Sequence, residues 1–314
     1  MDIEYLLFLQ NFRNSIDNAW TPFMEWISYF GIRGIILLPI FVYWCLDKRK
    51  GLFIFNAWKI SQTFNTWAKL TACVYRPWIK DARIIPAGDS IRTATGYSFP
   101  SGHTMMATPI YGGLACITKN KAAKIFWIAL ILITGFSRNY LGVHTPQDVV
   151  VGLLLGALSI YVAQKILDYL DRKPEKFGLM MIIFALVGVL SLVYVTYKPY
   201  PMDYVDGKLL VDPSKMTRDA WGDAGGMIPL AIAWYIEERW IKFSVTGLKN
   251  VKGIIIALIG LFIVGYTIES IKDTLYSIFG HHAGKMAYQF VFFFFVMVIW
   301  PIVLKLFAAS KKEA

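Results

Sequence analysis

Apolar runs long enough to cross a bilayer, parted by short polar hinges, constrain this chain more than any other feature of it. About 20 apolar residues in a helix cross the roughly 30 Å hydrocarbon core of a membrane. Hydropathy places about nine such runs near residues 28–46, 51–68, 103–118, 123–139, 147–166, 178–197, 223–238, 252–270 and 286–307. The run at 223–238 is the weakest, because it ends on Glu237 and Glu238. Only 17% of the 314 residues are charged and 56% are hydrophobic, against about 25% charged in an average soluble chain. These numbers predict an all-α polytopic membrane protein.

Residues 4–27 instead mix apolar and polar groups, with Leu6, Leu7, Phe8, Phe12, Trp20, Phe23 and Trp26 among them. This predicts an N-terminal interfacial helix within residues 1–27. Met1 to Leu9 lacks a basic stretch, carries Asp2 and Glu4, and has no small-residue cleavage site before Asn11, so it does not read as a cleavable signal.

Loop cations set the expected orientation. In a nine-span arrangement the loops 48–50, 119–124, 165–176 and 239–252 and the tail 305–312 fall on one side and hold 17 of the 32 Lys and Arg. By the positive-inside rule that side is cytoplasmic, with the N-terminus outside and the C-terminus inside. The expected location is a bacterial inner or plasma membrane. Long outer connections follow at 69–101 and 198–222, of a size that suits a cap over a site.

The net charge of +11 is scattered through short hinges with no basic stripe, which argues against nucleic acid as a partner. Cys45, Cys73 and Cys116 are widely spaced and fit packing better than any metal pattern. His281-His282, expected in an outer loop, could bind metal or sense pH, but lacks a carboxylate or cysteine at ligand spacing and reads more strongly as surface polarity. The aromatic run Phe290 to Phe295 reads as packing. Trp221-Gly222-Asp223-Ala224-Gly225-Gly226 reads as a close-packing helix start, with a border of the substrate entrance as the weaker reading.

Three polar clusters at run edges do not fit packing together. They are Lys69 with Arg76-Pro77, Pro100-Ser101-Gly102-His103, and Ser137-Arg138 with His144 and Asp148. Ionisable groups at a membrane are costly and usually functional. Thr145 suits a helix N-cap, Pro146 the first helical position and Asp148 the third. That spacing lets Asp148 reach back to one ring nitrogen of His144, leaving the other unprotonated as a nucleophile or base. Ser101 suits a second cap, and Gly102 leaves backbone N–H groups open to an anion. His103 is placed to protonate a leaving oxygen. Lys69, Arg76 and Arg138 supply cations for phosphate oxygens. Taken singly, each cation reads as a side chain reaching for headgroups. All three clusters on one expected face point to a phosphate pocket.

The order Lys69-x6-Arg76-Pro77, Pro100-Ser101-Gly102-His103, Ser137-Arg138-x5-His144-x3-Asp148 resembles the type-2 phosphatidic acid phosphatase superfamily. The match covers about residues 69–148 with no departure at a signature position. The resemblance implies a six-helix core over 28–197, with an outer loop and three further helices over 198–314. It also implies a phosphohistidine on His144, orientation of that ring by Asp148, and proton donation by His103. Lys69, Arg76, Ser101, Gly102 and Arg138 would hold the phosphoryl oxygens, with no metal and no cofactor. The implied function is hydrolysis of a lipid phosphate, monoester or diphosphate, drawn from the outer leaflet, with the active site expected on the non-cytoplasmic face. A sugar phosphate is the alternative substrate, and a lipid phosphotransferase the alternative reaction. A lipid transporter would instead show polar mid-membrane residues and broken helices in paired halves, neither of which is evident.

Overall fold

A computed structural model describes residues 2–32, 34–246, 251–268 and 270–309. Lys249, Lys311 and Lys312, counted above among the cytoplasmic cations, lie outside them. The described residues are mostly helical. In order come α1 (Asp2–Ser15), α2 (Thr21–Phe30), α3 (Leu37–Phe41), α4 (Lys48–Ala72), α5 (Pro77–Lys80), α6 (Gly102–Ile117), α7 (Lys121–Tyr140), α8 (Pro146–Arg172) and α9 (Phe177–Tyr197). A small hairpin follows, β1 (Tyr204–Val205) with β2 (Lys208–Leu209), pairing Tyr204 with Leu209. The remainder is α10 (Pro213–Asp223), α11 (Met227–Ile236), α12 (Val251–Ile263), α13 (Lys272–Phe294) and α14 (Trp300–Ala309).

Among the described residues, four helical stretches are long and apolar enough to cross a membrane: 121–140, 146–172, 174–197 and 272–307. Two shorter apolar helices cover 37–46 and 251–266. The expected run 28–46 is not one helix. Gly31 closes α2 by donating its N–H to Ile27 O at 3.0 Å, and Gly31 and Gly34 in succession disfavour continuation, each by about 1 kcal/mol against alanine. The helix of the run expected at 223–238 starts only at Met227, after the Ala224–Gly226 turn, and continues to Ile241. A side chain begun at Gly226 would meet Lys59 Nζ at 2.2 Å, and one at Gly225 would meet Met286 at 2.5 Å. Close packing thus explains these glycines. His281 and His282 lie in α13, just after its kink at Gly280, and not in a loop.

The chain forms two compact units. The first comprises residues 1–35, 60–162 and 197–216. Here α1 is pinned to the loops beside it: Gln10 bonds Arg83 O at 3.0 Å and Ile85 N–H at 2.7 Å, and buried Arg13 donates to Tyr140 O at 3.0 Å and Ile85 O at 2.8 Å. The neighbouring stretch exposes Trp20, Phe23, Trp26 and Tyr29, an aromatic face of the kind that sits at a membrane–water boundary. Helices α6 and α8 meet through glycines. A side chain begun at Gly152 would lie 3.1 Å from Thr104 Cβ, and one at Gly156 would lie 2.6 Å from Thr108 Cβ. Small residues at i and i+4 let two backbones approach, and this brings the two helix starts together. Residues 197–216 join this unit too: Tyr75 donates to Asp203, and Met216 fills the space above Gly96.

The second unit comprises 36–59, 163–196 and 217–314. Trp44 donates to Val296 O at 2.9 Å and packs on Phe295 and Trp300. Glu237 is buried, with Lys48 Nζ 2.7 Å from Oε2 as an ion pair and Phe243 N–H donating to Oε1 at 2.8 Å. Lys59, inside the apolar run expected at 51–68, donates to Gly222 O at 2.9 Å and Gln289 Oε1 at 3.3 Å beside the rings of Trp58 and Phe293. A cavity of about 960 Å³ lies among Leu46, Lys48, Trp234, Arg239 and Lys242. It contains none of the predicted site residues.

Gly156→Leu is expected to lower the thermal stability of detergent-solubilised protein, by about 1–3 kcal/mol for overpacking. Thr108→Ala in the same background should recover part of the loss. An unchanged melting temperature would mean that the α6–α8 contact does not depend on this glycine.

Candidate active site

The first helix start is built around one carboxylate. Asp148 Oδ2 accepts from Thr145 N–H at 2.9 Å, while Thr145 Oγ1 accepts from Asp148 N–H at 3.4 Å. This reciprocal cap satisfies two orphan donors where α8 begins. The same Oδ2 takes Ser98 Oγ at 2.5 Å and His144 Nδ1 at 3.2 Å. The other ring nitrogen, Nε2, faces Arg76 Nη1 at 2.9 Å. A guanidinium only donates, so Nε2 is the acceptor and Nδ1 carries the proton, as the His144–Asp148 spacing predicts. Burial, and then the Arg76 charge, hold His144 well below the usual histidine range against the opposing pull of Asp148. The ring is neutral at physiological pH.

The second helix start lies against the first. Ser101 N–H donates to Asp148 O at 2.9 Å, and Ser101 Oγ accepts from Thr104 N–H at 3.5 Å and Thr104 Oγ1 at 3.0 Å. Ser101 therefore caps α6 as expected. His103 follows in the first turn, buried, within electrostatic reach of Arg138, His144, Arg76 and Lys69. Its Nε2 has no hydrogen-bond partner among the described residues.

The three cations divide into two kinds. Lys69 Nζ donates to the carbonyls of Tyr97 (3.1 Å), Ser98 (3.2 Å) and Pro100 (2.7 Å), so it shapes the loop that leads into the second cluster. Arg76 binds Gly96 O and Val143 O at 2.9 Å each and Thr95 O at 3.2 Å, clamping two loops around His144. Burial pulls its guanidinium down to about 10, with Asp148 opposing, which leaves it cationic at neutral pH. Arg138 is wholly buried and donates through Nη1 to Ser28 Oγ. Its Nε and Nη2 find no acceptor among the described residues. Buried donors without acceptors are costly, and two of them beside His103 and His144 suit a multiply charged oxyanion.

All eight predicted residues thus gather in the first unit. Sequence reasoning missed Ser98, Ser28 and Asn139, whose Nδ2 donates to His144 O at 2.9 Å. The first two carry no local signal, because each is matched across a long stretch of chain. Asn139 stands beside Arg138 and was legible only as a neighbour. Among the described residues no group of three histidine, cysteine or carboxylate side chains converges on a possible metal position.

Fold and site together define a helical membrane protein with a His–Asp pair set among buried cations. Residues 50–172, which contain every predicted site residue, match the family model described as PAP2 superfamily. The chain is 30% identical over 112 residues to phosphatidylglycerophosphatase B of Bacillus subtilis, covering 33% of this chain and 54% of the relative. It is 29% identical over 136 residues to a bacitracin transport permease protein of Bacillus licheniformis (43% and 64%). It is 36% identical over 73 residues to undecaprenyl-diphosphatase of Sulfolobus acidocaldarius (23% and 34%). The chain thus spans less than two thirds of each of these relatives. No solved structure matches it.

Removing the Arg76 charge favours protonation of the ring it faces. In an Arg76→Met variant, the His144 titration followed by NMR should therefore move up toward the ordinary value near 6.5. A titration that stays put or moves lower would exclude Arg76 as a cause of the depressed value.

Proposed function

We propose that this chain is an integral-membrane phosphatase that hydrolyses a lipid phosphate, monoester or diphosphate, through a phosphohistidine on His144. The observation that carries this reading is His144 itself, proton-bearing on the Asp148 side and unprotonated at Nε2, where Arg76 meets it. The Nε2 lone pair attacks phosphorus once the Arg76 donor passes from that nitrogen to a phosphoryl oxygen. The bond from phosphorus to the leaving oxygen breaks, and that oxygen takes a proton from His103, for which the anionic substrate supplies the counter-charge. Water then attacks phosphorus, the P–N bond breaks back to His144, and His103 takes the proton that water loses. Arg138 Nε and Nη2 and the N–H groups at the start of α6 hold the equatorial oxygens, where charge gathers in the transition state. Lys69 adds its charge and fixes the loop. The named activities of the phosphatidylglycerophosphatase B and undecaprenyl-diphosphatase relatives support a lipid substrate.

We place this site on the non-cytoplasmic side of a bacterial inner or plasma membrane. It is built from the C-terminal ends of α4 and α7 and the N-terminal ends of α6 and α8. Lys48 to Lys50, Lys119 to Lys124 and Lys165 to Lys176 occupy the opposite ends. With the native cysteines replaced, Arg92→Cys should react with an impermeant thiol reagent in intact cells, whereas Lys121→Cys should react only after permeabilisation. The reverse pattern would invert the topology.

Purified protein should release inorganic phosphate from phosphatidate, phosphatidylglycerophosphate or undecaprenyl diphosphate in the presence of EDTA, with inhibition by orthovanadate. His144→Ala should lower kcat by about 10³-fold or more, as loss of a nucleophile does. Full activity in that variant would exclude the mechanism. Glucose 6-phosphate in the same panel tests the sugar-phosphate alternative.

A further inference from the structure

We infer that Asn65 is a further substrate-contacting residue, a neutral amide that donates to an oxygen of a tetrahedral oxyanion held at the α6 start. Nothing in the three clusters points to it, since it stands one helical turn before Lys69 in α4, inside an apolar run. The side chain is 7% exposed, and it makes no hydrogen bond to any described residue. Its Oδ1 is enclosed without a donor. On the same helix Ser61 donates to Met105 O at 2.6 Å and the Asn56 amide donates to Leu52 O at 2.8 Å. Asn56 Oδ1 and Trp58 Nε1 are also buried without a partner among the described residues. Asn65 differs from Asn56 in that its Nδ2 has no acceptor among them either. A buried amide left unmatched is rare and calls for a cause.

Its position supplies one. A side chain begun at Gly102 would meet, apart from its own helix backbone and chain neighbours, only Asn65 Nδ2 within 4 Å, at 3.7 Å. The space in front of the glycine, where α6 presents its first N–H groups, is therefore bordered by this one amide. An anion seated there takes the helix N–H groups from one side and the Asn65 N–H from the other. Arg138 Nε and Nη2 and His103 Nε2 are also without partners among the described residues. A neutral donor adds a hydrogen bond without adding a fourth cation to a pocket that already holds three. Methyl-bearing residues at 102 would occupy this space, which gives the glycine a chemical reason beyond helix geometry.

The inference rests on the phosphatase reading for the identity of the anion, but its test does not require turnover. Detergent-solubilised wild type is heated with and without orthovanadate or inorganic phosphate, and the anion concentration giving half-maximal stabilisation is compared among variants. Asn65→Ala should raise that concentration about 3- to 10-fold, the worth of one neutral hydrogen bond. Asn65→Asp, which turns a carboxylate toward the anion, should raise it more than about 100-fold. Both should keep anion-free melting temperatures near that of wild type. If the Asp variant does not fold, the Ala variant alone decides. Anion binding unchanged within two-fold, with or without a lowered melting temperature, would make Asn65 a packing residue and overturn the inference. A wild type that neither anion stabilises would overturn it together with the phosphate pocket. A His144→Ala protein that still binds anion and still turns over substrate would overturn the phosphohistidine alone.

Discussion

One carboxylate organises the site. Asp148 Oδ2 receives the Thr145 N–H that opens α8, the Ser98 hydroxyl from the loop before α6 and the His144 ring proton. The Asp148 backbone carbonyl receives Ser101 N–H. Two helix starts, one loop and the tautomer of one histidine are thus fixed through a single residue. The glycine contacts between α6 and α8 allow this, because Gly152 and Gly156 leave room for Thr104 and Thr108. Packing brings the helix starts together, and hydrogen bonding then sets which ring nitrogen is free.

The division among the cations follows from geometry more than from charge. Lys69 and Arg76 are directed at carbonyls of the 95–100 and 143 segments, so their main structural work is to hold loops in place. Arg138, fixed at one end by Ser28, keeps two donors unmatched. In the proposed reaction Arg138 would bind the phosphoryl group most directly, while Arg76 would pass a donor from the nucleophile to the substrate. Substitution of any of the three removes a positive charge, yet the loss of Lys69 or Arg76 also releases loop structure.

Much of this was legible in the sequence because it is local. The cap at Thr145, the i, i+4 relation of His144 to Asp148 and the Ser101 cap follow from spacing within one turn. What escaped was long-range. Ser98 meets Asp148 across 50 residues and Ser28 meets Arg138 across 110, and neither serine stands in a pattern. Helix boundaries failed where glycine met hydropathy: the run at 28–46 is apolar enough to be continuous but is broken after Gly31, and the run at 223–238 starts late, at Met227, after the Gly225-Gly226 pair. Lys59 was hidden in an apolar run because its partners, Gly222 and Gln289, lie far along the chain.

The claim on which the rest turns is that phosphorus bonds to His144 Nε2. Rapid acid-free quenching of enzyme mixed with radiolabelled lipid phosphate, followed by alkaline proteolysis and mass spectrometry, tests it directly. A phosphoramidate that survives base, is lost in acid and maps to the peptide containing His144 is the predicted result. Phosphate found on Ser98 or Ser101, or turnover with no labelled enzyme at any time point, would contradict it.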